Sequence, residues 1–188
     1  MMRVTGGSVR GRRLAVFRGV DIRPTSDMVR KAIFDLLGQN LSGKRVLDLF
    51  AGTGSLGIEA LSRGAAEALF IDHSLKAIEL IHKNLKRCGL EGAGFFLRRN
   101  LSRGLFQRHP AFTKPFDLVF LDPPYGQGLV VPVLKELDQA GMLGSSSRVV
   151  AQNEKREDLP EDVGTLKRVK VRIYGATRIS VFKNEEDA

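Results

Sequence analysis

The chain has 188 residues, 43% of them hydrophobic, with 30 lysines and arginines against 21 acids and a single cysteine. A chain this long buries roughly 70% of its unfolded surface and needs neither disulfides nor metals to fold, so one domain over residues 1–188 is expected. Cys88 rules out an internal disulfide, and no apolar stretch approaches the roughly 18 residues of a membrane span.

The N-terminal MMRVTGGSVRGRR lacks the apolar core of a signal peptide. A soluble, cytoplasmic monomer with no membrane partner is therefore the expectation, with Cys88 a buried or half-buried thiol. The net charge of +9 is unevenly placed. Residues 1–31 hold eight Lys and Arg against Asp21 and Asp27, a local balance of +6. Such a segment suits a nucleic-acid partner, since each neutralised phosphate releases counterions; a solvated basic surface is the competing reading.

In chain order, RVTGGSVRGRRLAVF predicts a twisted hairpin over residues 1–20, with Gly6, Gly7 and Gly11 at its turns. RPTSDMVRKAIFDLLG predicts a helix with Pro24 and Ser26 as start signals, Val29, Ile33, Leu36 and Leu37 on one face, and Gly38 as its stop. From Arg45 strands and helices alternate. RVLDLFA, EALFID, GFFLRR and FDLVFLD read as strands, separated by helices over Ser55–Arg63 and Leu75–Cys88 and a short one after Asn100. A helix around Leu129–Ala140, a loop GMLGSSS and a fifth strand RVVAQNE follow. LKRVKVRIYG and TRISVFK then form an antiparallel pair around Gly175, and residues 184–188 are an acidic tail. The alternation implies an α/β, doubly wound, Rossmann-like sheet over residues 21–183, mostly parallel with an antiparallel end.

Ligands of such sheets bind beyond the carboxyl ends of the strands. The first strand ends in DLFAGTGSLG, where Gly52, Gly54 and Gly57 form a G-x-G-x-x-G, and Asp72 lies 20 residues past Gly52. Glycines permit a tight turn and close backbone approach, and an acid at that spacing suits ribose hydroxyls. Asp48 inside the strand end argues against a pyrophosphate, because like charges repel in a partly desolvated site. S-adenosyl-L-methionine, with its ammonium and sulfonium, suits an acid there. The competing readings are a structural Asp48 bonded to the loop's own N–H groups and an Asp72 that caps the helix at Ser74.

VFLDPPYG supplies the second half. A base's exocyclic amine is a poor nucleophile because its lone pair is delocalised into the ring. Asp122 accepting one N–H and the Pro123 carbonyl another would favour a tetrahedral amine and aim its lone pair. Pro123 and Pro124 fix the backbone and remove competing donors, and Tyr125 offers a stacking face. An ordinary strand-end turn is the bland alternative.

DLFAGTGSLGIEALSRGA followed by FLDPPYG resembles the class I S-adenosylmethionine-dependent methyltransferases that act on amino groups of bases. RVTGGSVRGRRL and RPTSDMVRKAIF extend the resemblance over nearly the whole chain to the RsmD family of 16S ribosomal RNA (guanine-N2)-methyltransferases. The resemblance implies that Asp48, Gly52 and Gly54 line the cofactor's methionine side and Asp72 holds its ribose, with Phe50 also in the cofactor site. It implies that Asp122, Pro123, Pro124 and Tyr125 grip the guanine, within a partly assembled small ribosomal subunit.

Asn100 stands where many such enzymes have an aspartate at the adenine, and is equally a helix cap. Lys31 stands at the family's usual glutamate. Arg10, Arg12 and Arg13 are the candidate phosphate contacts around an extruded base. His73, His82 and His109 lack metal-ligand spacing, and no metal is expected. A DNA adenine-N6 methyltransferase shares the D-P-P-Y pocket, but the chain has no room for a sizeable target-recognition domain. A nicotinamide enzyme leaves Asp48 and D-P-P-Y unexplained, and a non-catalytic RNA-binding module has no need of them.

Overall fold

The computed structural model describes residues 2–17, 27–104 and 112–185. The start signals Pro24 and Ser26, the arginines Arg18 and Arg23, and His109 lie outside the described residues. The chain forms two compact units, Met1–Arg99 and Asn100–Ala188.

In the first unit α1 (Asp27–Leu37) buries Val29, Ile33 and Phe34 and ends where the amide of Gly38, at φ 97°, donates to the Phe34 carbonyl. The strands β1 (Arg45–Leu49), β2 (Glu67–Asp72) and β3 (Gly94–Arg98) pair in parallel, in the order β3-β2-β1. They are joined by α2 (Ser55–Ser62), α3 (Leu75–Cys88) and a 3-10 turn at Glu91–Ala93. β1 is buried nearly throughout, as expected of a parallel strand covered on both faces. Cys88 is buried; burial raises its thiol pKa against the pull of Arg12 and Arg87.

The N-terminal segment is a short hairpin. Val4 donates to the Arg12 carbonyl, Gly11 to Val4 and Leu14 to Met2, with one antiparallel bridge at Arg3 and Arg13. So short a ladder is marginal by itself, and side chains complete its attachment. Buried Glu59 of α2 accepts from the Thr5 amide and hydroxyl, both at 2.8 Å. The same carboxylate meets Arg63 at 2.7 Å and Arg30 at 3.4 Å, forming a buried Arg–Glu–Arg triad. Gly7, at φ 79°, lies so close to α2 that a Cβ would fall 1.9 Å from the Ser62 carbonyl oxygen. This contact accounts for Gly7, while at Gly6 a Cβ would fall 2.4 Å from the Arg63 guanidinium.

In the second unit β4 (Phe116–Leu121) pairs in parallel with β5 (Leu143–Glu154), and α4 (Val130–Gln139) connects them. β8 (Thr177–Asn184) is antiparallel to both β5 and β7 (Leu166–Tyr174), and the two-residue β6 (Asp162–Val163) closes the order β4-β5-β8-β7-β6. The expected α/β class, mostly parallel with an antiparallel end, holds.

Two expectations are corrected. GMLGSSS is not wholly a loop, because β5 begins at Leu143. The Ser147 hydroxyl donates to the Phe116 carbonyl at 2.6 Å and accepts from the Gly144 amide at 2.8 Å, so a side chain replaces ladder bonds across an irregular register. Asn184 belongs to β8 rather than the tail: it is buried and its amide donates to the Gly144 carbonyl. Residues 186–188 lie outside the described residues. Among the described residues no helix is long and apolar enough to cross a membrane.

Candidate functional site

The first unit holds the loop between β1 and α2. Asp48, buried at the end of β1, accepts from the Gly57 amide at 2.9 Å. Asp72, at the end of β2, accepts from the Gly52 amide at 2.9 Å with one oxygen and from the Ser74 amide at 2.9 Å with the other. Both acids brace the loop, as the structural reading of Asp48 anticipates. A carboxylate has about four acceptor positions, so the bonds from Gly52 and Ser74 leave Asp72 capacity for a ligand. The cap of α3 is Ser74, whose hydroxyl accepts from the Ala77 amide; Asp72 sits two residues before it.

The glycines divide the work. Among the described residues beyond its chain neighbours, Gly52, at φ 54°, has only the Phe50 carbonyl oxygen, 3.9 Å away, near the place a Cβ would occupy. Gly54, at φ 74°, caps α2, and a Cβ there would crowd Ile81 at 3.0 Å and Phe70 at 3.3 Å, while a Cβ at Gly57 would fall 2.3 Å from the Phe70 ring. Gly52 thus leaves an open cradle, whereas Gly54 and Gly57 let helix and strand close up. Phe50 turns the chain out of β1 at φ 57°, left-handed geometry that costs a non-glycine residue about 1–2 kcal/mol. The open cradle and paired acids fit the methionine and ribose parts of S-adenosylmethionine.

Asn84, a polar residue in the buried face of α3, was missed by sequence reasoning. Its amide donates to the carbonyls of Thr53 and Ala15, both at 3.0 Å, and accepts from the Ala15 amide at 2.7 Å. One side chain thereby joins the glycine loop to the segment after the hairpin. Arg10, Arg12 and Arg13 are exposed around Gly11, which stands at φ 83°.

The second unit holds D-P-P-Y, directly after β4. Pro123 is buried, Pro124 exposed, and Asp122 and Tyr125 are half-buried. The Tyr125 hydroxyl lies 3.0 Å from the Thr177 hydroxyl at the start of β8. This anchor leaves the tyrosine held by its rim. Asn100 is exposed and caps the 3-10 turn Leu101–Arg103, accepting from the Ser102 amide and hydroxyl. Sequence reasoning also missed Gln152 near the end of β5: it is buried, and its amide nitrogen finds no hydrogen-bond partner among the described residues.

Comparisons with known proteins agree over most of the chain. The Bacillus subtilis protein YlbH is 39% identical over 184 residues, covering 97% of this chain and 98% of that one. Ribosomal RNA small subunit methyltransferase D of Haemophilus influenzae is 34% identical over 170 residues, covering 88% and 86%. The solved structure of the Escherichia coli protein yhhF superposes with a TM-score of 0.84 at 31% identity, covering 98% of each chain. The family described as Conserved hypothetical protein 95 matches residues 2–183. With its hairpin, glycine loop and D-P-P-Y strand end all within that match, the chain belongs to this family, the RsmD family of methyltransferases.

Proposed function

We propose that this protein transfers the methyl group of S-adenosylmethionine to the N2 amine of a guanine in small-subunit ribosomal RNA. The observation that carries the chemistry is D-P-P-Y at the end of a buried apolar strand, its tyrosine tied by the hydroxyl to Thr177. The family relation and the names of its members support ribosomal RNA as the substrate. A Salinibacter ruber RNA methyltransferase of the same fold, solved with S-adenosyl-L-homocysteine, agrees with the choice of cofactor. We read the whole chain as one methyltransferase domain acting as a monomer in the cytoplasm, on a partly assembled small subunit.

In this reading Asp48, Gly52 and Gly54 hold the methionine side of the cofactor, Asp72 the ribose and Asn100 the adenine edge, with Phe50 also in the cofactor site. S-adenosylmethionine supplies an electrophilic methyl group on a positively charged sulfur. Asp122 accepts one N–H of the guanine amine and the Pro123 carbonyl the other, which turns the nitrogen's lone pair toward that methyl. Once the methyl group is transferred, the amine would lose its surplus proton. Tyr125 stacks on the base, and Arg10, Arg12 and Arg13 hold phosphates beside it.

The test is methyl transfer from labelled S-adenosylmethionine to unmodified small subunits, their naked RNA and duplex DNA, followed by nucleoside analysis. N2-methylguanosine from a ribosomal substrate is expected. N6-methyladenine from DNA would keep the pocket and overturn the substrate. Asp122→Ala should keep cofactor affinity and lower kcat by about 10²–10³; a near-normal kcat would sink the amine-shaping role.

A further inference from the structure

The β7–β8 hairpin runs from Leu166 to Asn184 with six cations and no acid. Its register sorts these cations between two faces. In an antiparallel ladder directly opposed residues share a face, and along a strand alternate residues do. Thr177, Ile179, Val181 and Lys183 therefore mark one face of β8. Opposite them on β7 stand Tyr174, Arg172, Lys170 and Lys167, and Arg148 of β5 stands opposite Lys183.

A β-bulge between Arg168 and Lys170 creates this alignment. Without it a three-residue step would send Lys170 to the face opposite Lys167; the extra residue brings it back into phase. Bulges re-aim side chains in this way and are frequent beside functional sites.

The two faces treat their charges differently. On the other face Arg168 and Arg178 are half-buried and share the carboxylate of Asp158, with Glu161 adding a contact to Arg168. On this face Arg148, Lys167, Lys170, Arg172 and Lys183 are all exposed. Lys167 meets Glu185 at 3.0 Å, while Lys170 and Arg172 have no carboxylate within 4.0 Å among the described residues. Arg148, Lys183 and Lys167 form a row of three like charges in register across three strands. Glu185 offsets part of this row, lying against Lys167 and near Lys183, whereas Lys170 and Arg172 stand exposed with no carboxylate beside them among the described residues and suit a polyanion. At its end Tyr174 pairs with Thr177, the residue that holds the Tyr125 hydroxyl.

We infer that this strip on β7, extended by Lys183 and Arg148, is a second RNA-backbone site: it holds the phosphates of the strand whose base enters the D-P-P-Y loop. The inference rests on the RNA methyltransferase reading. It assigns to the C-terminal hairpin a contact beyond that of the N-terminal arginines. Phosphate contacts of this kind position the strand and carry no sequence information.

The test compares wild-type protein with the double variant Lys170→Ala/Arg172→Ala in binding to unmodified small-subunit RNA across a potassium chloride series. Removing two phosphate contacts should make the slope of log K against log salt shallower by about 1.5–2. Cofactor affinity by calorimetry and the thermal midpoint should stay unchanged. Arg168→Ala, on the other face, should leave the slope as it is. A wild-type slope in the double variant would overturn the strip even if methyl transfer proceeds normally. RNA binding with the expected slope change but no transfer to RNA would support the strip and sink the enzymatic reading instead.

Discussion

The protein carries two basic hairpins fixed in opposite ways. At the N-terminus a few backbone bonds are supplemented by buried side chains: Glu59 with Arg30 and Arg63, Ser62 beneath Gly7, and Asn84 at Ala15. At the C-terminus β7 and β8 are bound by eight in-register pairs, and the backbone does the work. Where side chains hold a hairpin, their replacement costs structure. Where the ladder holds it, exposed side chains can change with little structural consequence and are available for binding.

The severest way to break this contrast is at Glu59. Glu59→Ala leaves Arg30 and Arg63 as buried charges without their shared acid, and a broken buried pair costs about 3–5 kcal/mol. For a chain of this size that lowers the thermal midpoint by roughly 10 °C. Calorimetry should show this loss for Glu59→Ala and none for Lys170→Ala/Arg172→Ala. Equal midpoints for the two would mean that the triad does not hold the first hairpin.

Asn84→Ala comes next. It leaves the buried Thr53 carbonyl and the Ala15 peptide without the amide that satisfies them, at a cost of about 1–3 kcal/mol. Because Asn84 joins the hairpin segment to the glycine loop, the variant should also weaken cofactor binding in calorimetry. A stability loss with unchanged cofactor affinity would separate the two attachments. Gly7→Ala addresses the hairpin without touching the loop. The added methyl group meets the Ser62 carbonyl, and φ 79° adds its own strain, so a loss of about 1–3 kcal/mol is expected. RNA affinity should fall while cofactor affinity holds; loss of both would show that the hairpin supports the loop through more than Asn84.

These attachments also show where sequence reading stops. The strand–helix alternation was legible because each element carries its own apolar pattern and stop signal, as EALFID and Leu75–Cys88 do with Gly89 behind them. D-P-P-Y and the glycine loop were legible because their residues are adjacent in the chain. Glu59 was not, because its partner Thr5 lies 54 residues earlier; the only local clue is a charge in a helix with no exposed face. Ser147 looked like loop chemistry because its strand-like role depends on the Phe116 carbonyl, 31 residues away. The β7 bulge depends on pairing with β8, and no spacing within LKRVKVRIY announces it.

The smallest expected effect sharpens the contrast from the C-terminal side. Desolvation pushes the Asp158 pKa upward, but Arg178 and Arg168 outweigh it and hold the carboxyl below its ordinary value of 3.8. A carboxyl with a depressed native pKa adds stability that is present above its unfolded pKa and lost as pH falls through the native one. The Asp158→Asn variant should therefore melt slightly below wild type from neutral pH down to about 5, and the difference should close as the pH drops through and below 3.8. Asp158 is exposed and its pairs are screened, so the shift is small. A difference that instead grew on acidification would mean that Asp158 does not act through its arginines. A difference as large as that of Glu59→Ala would mean that side chains, and not the ladder, fix the second hairpin as well.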